Sequence, residues 1–293
     1  MKLKGNTGFS LKNIKIGSAV LFALLIAIRF YQSFFLTDTQ TGFFSESNFT
    51  VPLMFIIAIG TVVLVSSLCY VSNDLPMGDI KKRPSPLYFI AGALFSVSLL
   101  YDGLKGIKAM LQAGSDFALM KEAAGGNLGI VSAVFGVLGA GAILMSLFVL
   151  MQTGTLTGKL RIPMLFPVIW AFSRTLAFFS VTVSYLKVSQ LFLSIFAAAF
   201  LMIFLFENAR VVTGTGRNDA VWFYFASGII AAGLCFSAGL PALVASVASP
   251  EKLVSYAPFE IYTIGGGLYA LASLFVRDKE KAEENTEIVT EIE

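Results

Sequence analysis

The sequence predicts an all-α fold, a polytopic bundle of membrane-spanning helices. Hydrophobic residues make up 56% of the 293 residues and charged residues only 13%, about half the usual share of charge. The apolar residues fall into stretches of roughly 18 to 25, the length that a helix needs to cross about 30 Å of hydrocarbon. An outer-membrane β-barrel would instead show alternating segments of about ten residues. The composition therefore indicates an integral membrane protein built from helices.

Eight spans are predicted along the chain. They lie at about 15–36, 51–72, 87–108, 128–151, 162–184, 189–209, 220–247 and 258–276. The third has the shortest purely apolar run, because Leu87 to Tyr101 covers roughly 22 Å of helix at 1.5 Å per residue. A full crossing must therefore carry Asp102 and Lys105 into the outer part of the bilayer. Residues 1–276 form one transmembrane domain in this interpretation.

The first span follows a basic N-terminal segment, as in a secretory signal. Its apolar run exceeds 20 residues, however, and no small-x-small cleavage site follows it, so we expect an uncleaved helix. At the other end, residues 277–293 carry many acidic side chains and little to bury. A segment of that composition is typical of a mobile or weakly helical tail that aids solubility or docks a partner.

The distribution of basic residues predicts the orientation, because basic loops are retained in the cytoplasm. With the N-terminus inside, the cytoplasmic loops hold most of the 21 basic residues. The opposite loops then hold only Lys105, Lys108, Lys121, Lys187 and Lys252. Both termini, and with them the acidic tail, are predicted to be cytoplasmic.

Four charged residues are predicted at a similar depth in the outer half of the membrane. Arg29 lies in the first span, Asp102 in the third, Arg174 in the fifth and Glu260 at the start of the eighth. Charges inside a span usually face the bundle interior, where they pair or line a wet cavity. The sequence thus predicts one polar cluster open to the outside. Its candidate ligand-binding residues are Arg29, Tyr31, Tyr101, Asp102, Arg174 and Glu260.

Counting Lys105, this cluster carries three positive groups and two negative ones, so an anionic ligand could complete it. Arginine suits a carboxylate or phosphate because its planar fork donates to two oxygens at once. Three alternatives stay open for Arg29: a structural ion pair with Asp102 or Glu260, an extension toward the outer headgroups, or a ligand contact. The helix dipole alone could also account for Glu260.

Other residues are assigned structural roles. Glu207 and Arg210 are three apart and should form a local ion pair on one helix face. Small residues four apart, in the sets Gly125, Gly129, Ala133 and Ser132, Gly136, Ala140, should let helix backbones approach closely. Pro241 is expected to kink the seventh span, and broken helices are where transporters often place binding sites.

The residue content also limits the chemistry. Cys69 and Cys235 lie in different spans without metal-ligand spacing, and we expect both to be packing residues. The chain contains no histidine, which removes the commonest metal ligand and general base. We therefore expect no cofactor, no metal and no nucleic acid partner, with membrane lipid as the surrounding partner. The oligomeric state does not follow from the sequence.

One enzymatic pattern is incomplete. Tyr101-Asp102 and Pro241-Ala242-Leu243 resemble two motifs of the presenilin-type intramembrane aspartyl proteases. That chemistry needs two carboxylates that share a proton, and the GxGD motif that would bring the second one does not occur in this chain. The sequence does not favour an enzyme.

The stretch "LLIAIRFYQSFFLTDTQTGFF" is similar to the start of uncharacterised polytopic membrane proteins of clostridial bacteria, and "FLFENAR" agrees with that similarity. The resemblance implies a bacterial plasma membrane. It implies no activity, and it transfers no functional residue to this chain.

Two functions of different classes remain. The first is a transporter or flippase that admits a small anionic solute or lipid headgroup to the outward-facing cluster. The second is a non-transporting sensor or assembly subunit, in which the same charges are structural ion pairs. A deep outward pocket would favour the first, and a solid bundle with its charges paired would favour the second.

Overall fold

A computed structural model describes residues 10–36, 49–72, 75–76, 84–114, 116–153, 160–179, 189–214, 221–248 and 259–276. Within these ranges the chain forms nine α-helices. They are α1 (Leu11–Tyr31), α2 (Thr50–Val71), α3 (Pro86–Gln112), α4 (Phe117–Ala123), α5 (Asn127–Thr153), α6 (Phe166–Phe179), α7 (Ser189–Val212), α8 (Val221–Ala248) and α9 (Ile261–Ser273). A π-helical turn, Gln32–Leu36, extends α1, and a 3-10 turn, Pro163–Leu165, leads into α6.

Six of these helices are long and apolar enough to cross a membrane. They are α1 with its π-helical turn, α2, α3, α5, residues Leu191–Val212 of α7, and α8. This confirms the prediction of an all-α, multi-pass membrane protein. The predicted acidic tail, residues 277–293, lies outside the described residues.

The fifth and eighth predicted spans correspond to shorter helices. α6 has 14 residues and α9 has 13, roughly 20 Å each at 1.5 Å per residue, which is less than a typical hydrocarbon thickness. Parts of both predicted spans fall outside the described residues, so the count of eight stays a prediction. The short helix α4 was not predicted.

The third predicted span is a full-length helix. α3 begins with Pro86 in its first turn, a position where the missing N–H has no helical partner to lose. It runs through Asp102 and Lys105 to Gln112, and Gly114 with φ 88° follows its end. Asp102 and Lys105 therefore continue the helix rather than terminate it.

Six helices form a closed ring around the site described below. In order around the ring, α3, α5, α6, α7, α8 and α9 each pack against the next, and α9 packs back against α3. The helices α1 and α2 pack against each other and against the outer side of α8. α8 is consequently the most buried of the six long helices.

Small residues allow α3 and α5 to pack closely. A Cβ atom on Gly136 would lie 3.2 Å from the Cα of Gly103, and one on Gly103 would lie 2.8 Å from the carbonyl oxygen of Ala133. This confirms the predicted role of the set that contains Gly136. The other predicted set is wrong at its first member, because Gly125 has φ 79° and lies in the turn before α5.

The beginning of α1 lies beside the end of α9. The Lys15 Nζ is 4.0 Å from the centroid of the Phe275 ring. These two ends are therefore on the same side of the bundle, which agrees with an even number of crossings between them. Which side of the membrane they occupy stays a prediction.

Candidate functional site: an ion-pair triad across the helix ring

An arginine joins two carboxylates inside the ring. The Nη2 of Arg174 on α6 is 2.6 Å from Oε1 of Glu260 and 3.8 Å from Oδ1 of Asp102. Asp102 belongs to α3, and Glu260 is the N-cap residue of α9. Since α6 packs mainly against α5 and α7, Arg174 reaches across the ring to helices that are not its main neighbours. We call Asp102, Arg174 and Glu260 the triad.

The second oxygen of Asp102 has a partner of its own. The indole Nε1–H of Trp170 donates to Oδ2 of Asp102 at 2.8 Å. Trp170 is one helical turn before Arg174 on α6, so the same helix face supplies both groups that hold Asp102. The carboxylate is thus oriented by one charged and one neutral donor.

Aromatic rings pack beside the triad in the interior of the bundle. Trp170 packs edge-to-face on Tyr262 at 4.9 Å between centroids, and on Phe95 at 6.2 Å. The Tyr262 ring also lies 5.6 Å from Cζ of Arg174, within cation–π range. Trp170, Tyr262 and Phe95 are all buried. The low polarity of these neighbours strengthens the attraction between the charges of the triad.

Two buried polar atoms of this group retain unused hydrogen-bonding capacity. Within the part of the chain that the structure describes, neither Nε of Arg174 nor the hydroxyl of Tyr262 has a hydrogen-bond partner. A buried polar group without a partner costs about 1–3 kcal/mol, and such groups are rare in native proteins. The site could therefore accept a ligand that presents a hydrogen-bond acceptor.

Arg29 belongs to a different polar group. Its Nη1 donates to Oε1 of Gln32 at 2.8 Å, and Nε2 of Gln32 donates to Oγ1 of Thr50 at 3.3 Å. These residues join the end of α1 to the start of α2. Among the described residues, Arg174 and not Arg29 is the arginine that pairs with Asp102 and Glu260.

The burial of Arg29 excludes one of the alternatives predicted for it, an extension of the side chain toward the headgroups. Only 4% of its surface is exposed, whereas a side chain extended along the lipid-facing surface toward the headgroups would remain exposed outside the bundle. The side chain is instead buried beside Gln32, at the end of α1. The sequence correctly predicted a costly, inward-facing charge, but the structure places it apart from the triad.

The two predicted tyrosines face away from the bundle. Tyr31 is 47% exposed and Tyr101 is 58% exposed, and Tyr31 stacks on Phe35 at 5.6 Å within its own helix end. Of the six predicted site residues, the structure therefore brings together Asp102, Arg174 and Glu260.

A second polar group lies near the opposite end of the ring. The Nδ2–H of Asn208 on α7 donates to the hydroxyl of Tyr269 at 2.9 Å, and the hydroxyls of Tyr269 and Tyr88 are 3.3 Å apart. These three residues come from α7, α9 and α3. We call them the inner polar group. Beside it on α7, Arg210 pairs with Glu207 at 2.8 Å, which confirms that predicted local pair.

The residues that sequence reasoning missed share a helical spacing with those it found. Trp170 lies four residues before Arg174, and Tyr88, Phe95 and Asp102 are seven apart on α3. Spacings of four and seven place side chains on one helix face. Applying this spacing to each intramembrane charge would have identified Trp170 and Phe95 as neighbours of the triad. Asn208 gave no comparable signal.

Comparisons with protein-family models, with curated proteins and with solved structures find no match for this chain. The six long apolar helices identify it as a multi-pass membrane protein.

Proposed function

We propose that this protein is a transporter or flippase, and that the triad forms its ligand site. The observation that carries the proposal is the pair of buried, unpartnered polar atoms, Arg174 Nε and the Tyr262 hydroxyl, beside the charges of the triad. Ionisable groups within membrane helices are costly and commonly mark substrate pathways. A site with unused donors in such a place suits a polar ligand.

The interior of the ring contains two polar groups, which would be the two ends of a pathway for the ligand. The triad and the inner polar group lie at different levels of α3, because Tyr88 and Asp102 are separated by roughly 21 Å of helix. Phe95 lies between them on α3, and its buried ring stacks at 5.5 Å on the ring of Tyr269, a member of the inner polar group. An aromatic layer between two polar groups is an arrangement that can exclude solvent from one side while a ligand occupies the other.

The helix α8 is weakened at Pro241, close to the triad. Pro241 lies inside α8 and has no N–H to donate to the preceding turn. Two residues earlier, Gly239 packs so closely on α9 that a Cβ there would clash with the side chain of Thr263. Thr263 in turn donates to the carbonyl oxygen of Glu260 at 2.6 Å. A change in α8 at Pro241 would therefore act directly on the helix start that carries Glu260.

The ligand class follows from the two unpartnered groups. The Nε–H of Arg174 and the Tyr262 hydroxyl can both donate, so the ligand would present acceptor oxygens, as a carboxylate, a phosphate or a lipid headgroup does. Without Arg29, the triad and Lys105 balance two positive charges against two negative ones. The positive excess that suggested an anion is therefore gone, and the anionic ligand stays a prediction.

The full topology is part of the proposal. α6 and α9 would cross together with the residues that flank them, which makes eight spans with both termini in the cytoplasm. Lys12, Lys15, Arg161 and Arg210 would then lie at the cytoplasmic side, where basic residues are retained. The similarity to clostridial membrane proteins supports a bacterial plasma membrane.

The alternative, a non-transporting sensor or assembly subunit, has a specific observation in its favour. Both carboxylates of the triad contact Arg174, and Trp170 holds the remaining oxygen of Asp102. Charges that satisfy one another in this way can join three helices without any ligand. In that case the triad only stabilises the bundle.

Reconstitution into liposomes distinguishes these functions. The probes are NBD-labelled phosphatidylglycerol, whose movement between leaflets dithionite quenching reports, and radiolabelled phosphate, acetate and choline for uptake. The key variant is Tyr262→Phe, which removes the unpartnered hydroxyl and leaves the triad intact. Tyr70→Phe on α2 is the matched control, because Tyr70 is exposed on the outer side of the bundle.

The transporter is supported if the parent and Tyr70→Phe move a probe and Tyr262→Phe does not. The Tyr262→Phe protein must keep the melting temperature of the parent. Equal movement by Tyr262→Phe and the parent would exclude the triad as the site. If the parent moves none of these probes and triad substitutions change stability alone, the structural function is the better account.

A further inference from the structure

A groove runs along the outside of the bundle between α1, α8 and α9. Its volume is about 310 Å³. The lining is almost entirely apolar and includes Phe22 and Ile26 of α1, Phe236 of α8 and Leu271 of α9. The groove is separate from the triad, since it lies on the side of α8 that faces α1.

Small residues form the groove. Ala19 and Ala23 of α1 and Ala232 and Gly233 of α8 line it, so the facing helices carry little side-chain volume there. Gly233 is also the point of closest approach, because a Cβ there would clash with the ring of Phe22. Ala19 and Ala23 are exposed, so the groove opens toward the surrounding lipid.

One cation lies at an end of this apolar lining. Lys15 is in the second turn of α1, and its Nζ lies 4.0 Å over the ring of Phe275 at the end of α9. The Phe275 contact holds the ammonium group at the mouth of the groove, where α1 begins and α9 ends. An apolar groove with a positive charge at one end complements an amphiphile with a negative head.

The length of the groove matches one leaflet. From Lys15 to Ile26 the α1 helix rises roughly 16 Å at 1.5 Å per residue. Half of a hydrocarbon core of about 30 Å is about 15 Å. A single acyl chain that starts at Lys15 would therefore end near Ile26, at the middle of the bilayer.

We propose that this groove is a binding site for one acyl chain of an anionic phospholipid, with the lipid phosphate at Lys15. The apolar walls hold the chain, and the Lys15 ammonium selects a negatively charged headgroup over a zwitterionic one. The site does not depend on the proposed transport function, because its residues are distinct from those of the triad.

Retention of lipid by the purified protein tests the site. The full chain is reconstituted in nanodiscs of equal phosphatidylglycerol and phosphatidylcholine and then released, and native mass spectrometry counts the retained lipids. Lys15→Gln should lower the ratio of retained phosphatidylglycerol to phosphatidylcholine about fivefold, since one basic residue near a membrane surface contributes about 1 kcal/mol. Lys12→Gln is the control, because Lys12 is exposed one turn earlier on α1.

A second pair of variants tests the groove itself. Ala23→Trp should fill the groove and reduce the number of retained lipids, whereas Val20→Trp, at an exposed position of α1 outside the lining, should not. Ala19→Trp replaces Ala23→Trp if the latter fails to fold, as judged by its melting temperature. Two results would overturn the proposal. One is an equal ratio of retained phosphatidylglycerol to phosphatidylcholine in Lys15→Gln and Lys12→Gln. The other is an unchanged number of retained lipids in both Ala23→Trp and Ala19→Trp.

Discussion

Arg174 on α6 and Glu260 at the start of α9 form the closest ion pair of the triad, with 2.6 Å between Nη2 and Oε1. The guanidinium also lies 3.8 Å from Asp102, so it keeps two carboxylates of different helices next to each other. Removing this one charge would leave two like charges together in a setting of low polarity. The triad is therefore the place where single and double substitutions should differ most.

Neutralising one member of the triad should cost more than neutralising two. Arg174→Met should destabilise the protein by about 3 kcal/mol, because breaking a buried pair leaves uncompensated charge. Adding Glu260→Gln should recover part of this loss, as measured by the melting temperature in detergent. Arg210→Met is the control, since Arg210 pairs with Glu207 on its own helix. Strict additivity of the first two substitutions would contradict the pairing.

Arg29 should be energetically independent of Asp102. Arg29 contacts Gln32 at the end of α1, while Asp102 contacts Arg174 and Trp170. Sites that share no partner are usually additive within about 0.5 kcal/mol. The double variant Arg29→Met Asp102→Asn should therefore lose the sum of the two single losses in thermal unfolding. A double variant more stable than that sum would restore the original prediction of a common cluster.

Trp170→Phe should lower stability although an aromatic ring is kept. The substitution removes the N–H that donates to Asp102 at 2.8 Å, and a hydrogen bond to a charged group contributes about 1.5–3 kcal/mol. Trp222→Phe is a matched control, because Trp222 is only partly buried and packs edge-to-face on Tyr70. Equal melting temperatures for the two variants would show that the indole donor contributes nothing.

Two glycines should respond oppositely to the same substitution. Gly103→Ala would place a methyl group 2.8 Å from the backbone of α5, and overpacking of this kind costs about 1–3 kcal/mol. Gly141→Ala meets nothing within 4 Å and should stabilise α5 by about 0.5–1 kcal/mol through helix propensity. Thermal unfolding of both variants measures the difference. A stable Gly103→Ala protein would mean that α3 and α5 are not in close contact.

Labelling of single cysteines tests the orientation. An impermeant thiol reagent should label Glu122→Cys on α4 in intact cells and should label Thr153→Cys, at the end of α5, only after permeabilisation. Both positions are exposed, whereas the native Cys69 and Cys235 are free and buried and should stay unlabelled. The reverse pattern would place the termini outside and the triad toward the cytoplasm.

The sequence by itself determined that this protein lies in a lipid bilayer, and it determined most of the helices. Long apolar stretches with few charges can satisfy their backbone only as helices in lipid, and six of the predicted spans are long helices in the structure. Local relations were equally accessible, since Glu207 and Arg210 are three residues apart and a helix makes them neighbours whatever else surrounds them.

Tertiary structure alone decided which charges meet. Arg29 and Arg174 look alike in sequence, each an arginine well inside an apolar stretch, but depth along a span says nothing about rotation around the helix axis or about which helices are neighbours. Helix packing places Arg174 next to Asp102 and Glu260 across the ring, and it places Arg29 next to Gln32 at the end of α1. The same rotation directs Tyr31 and Tyr101 away from the bundle. Composition predicts that a charge inside a span must find a partner, whereas only the packing of distant helices determines the partner.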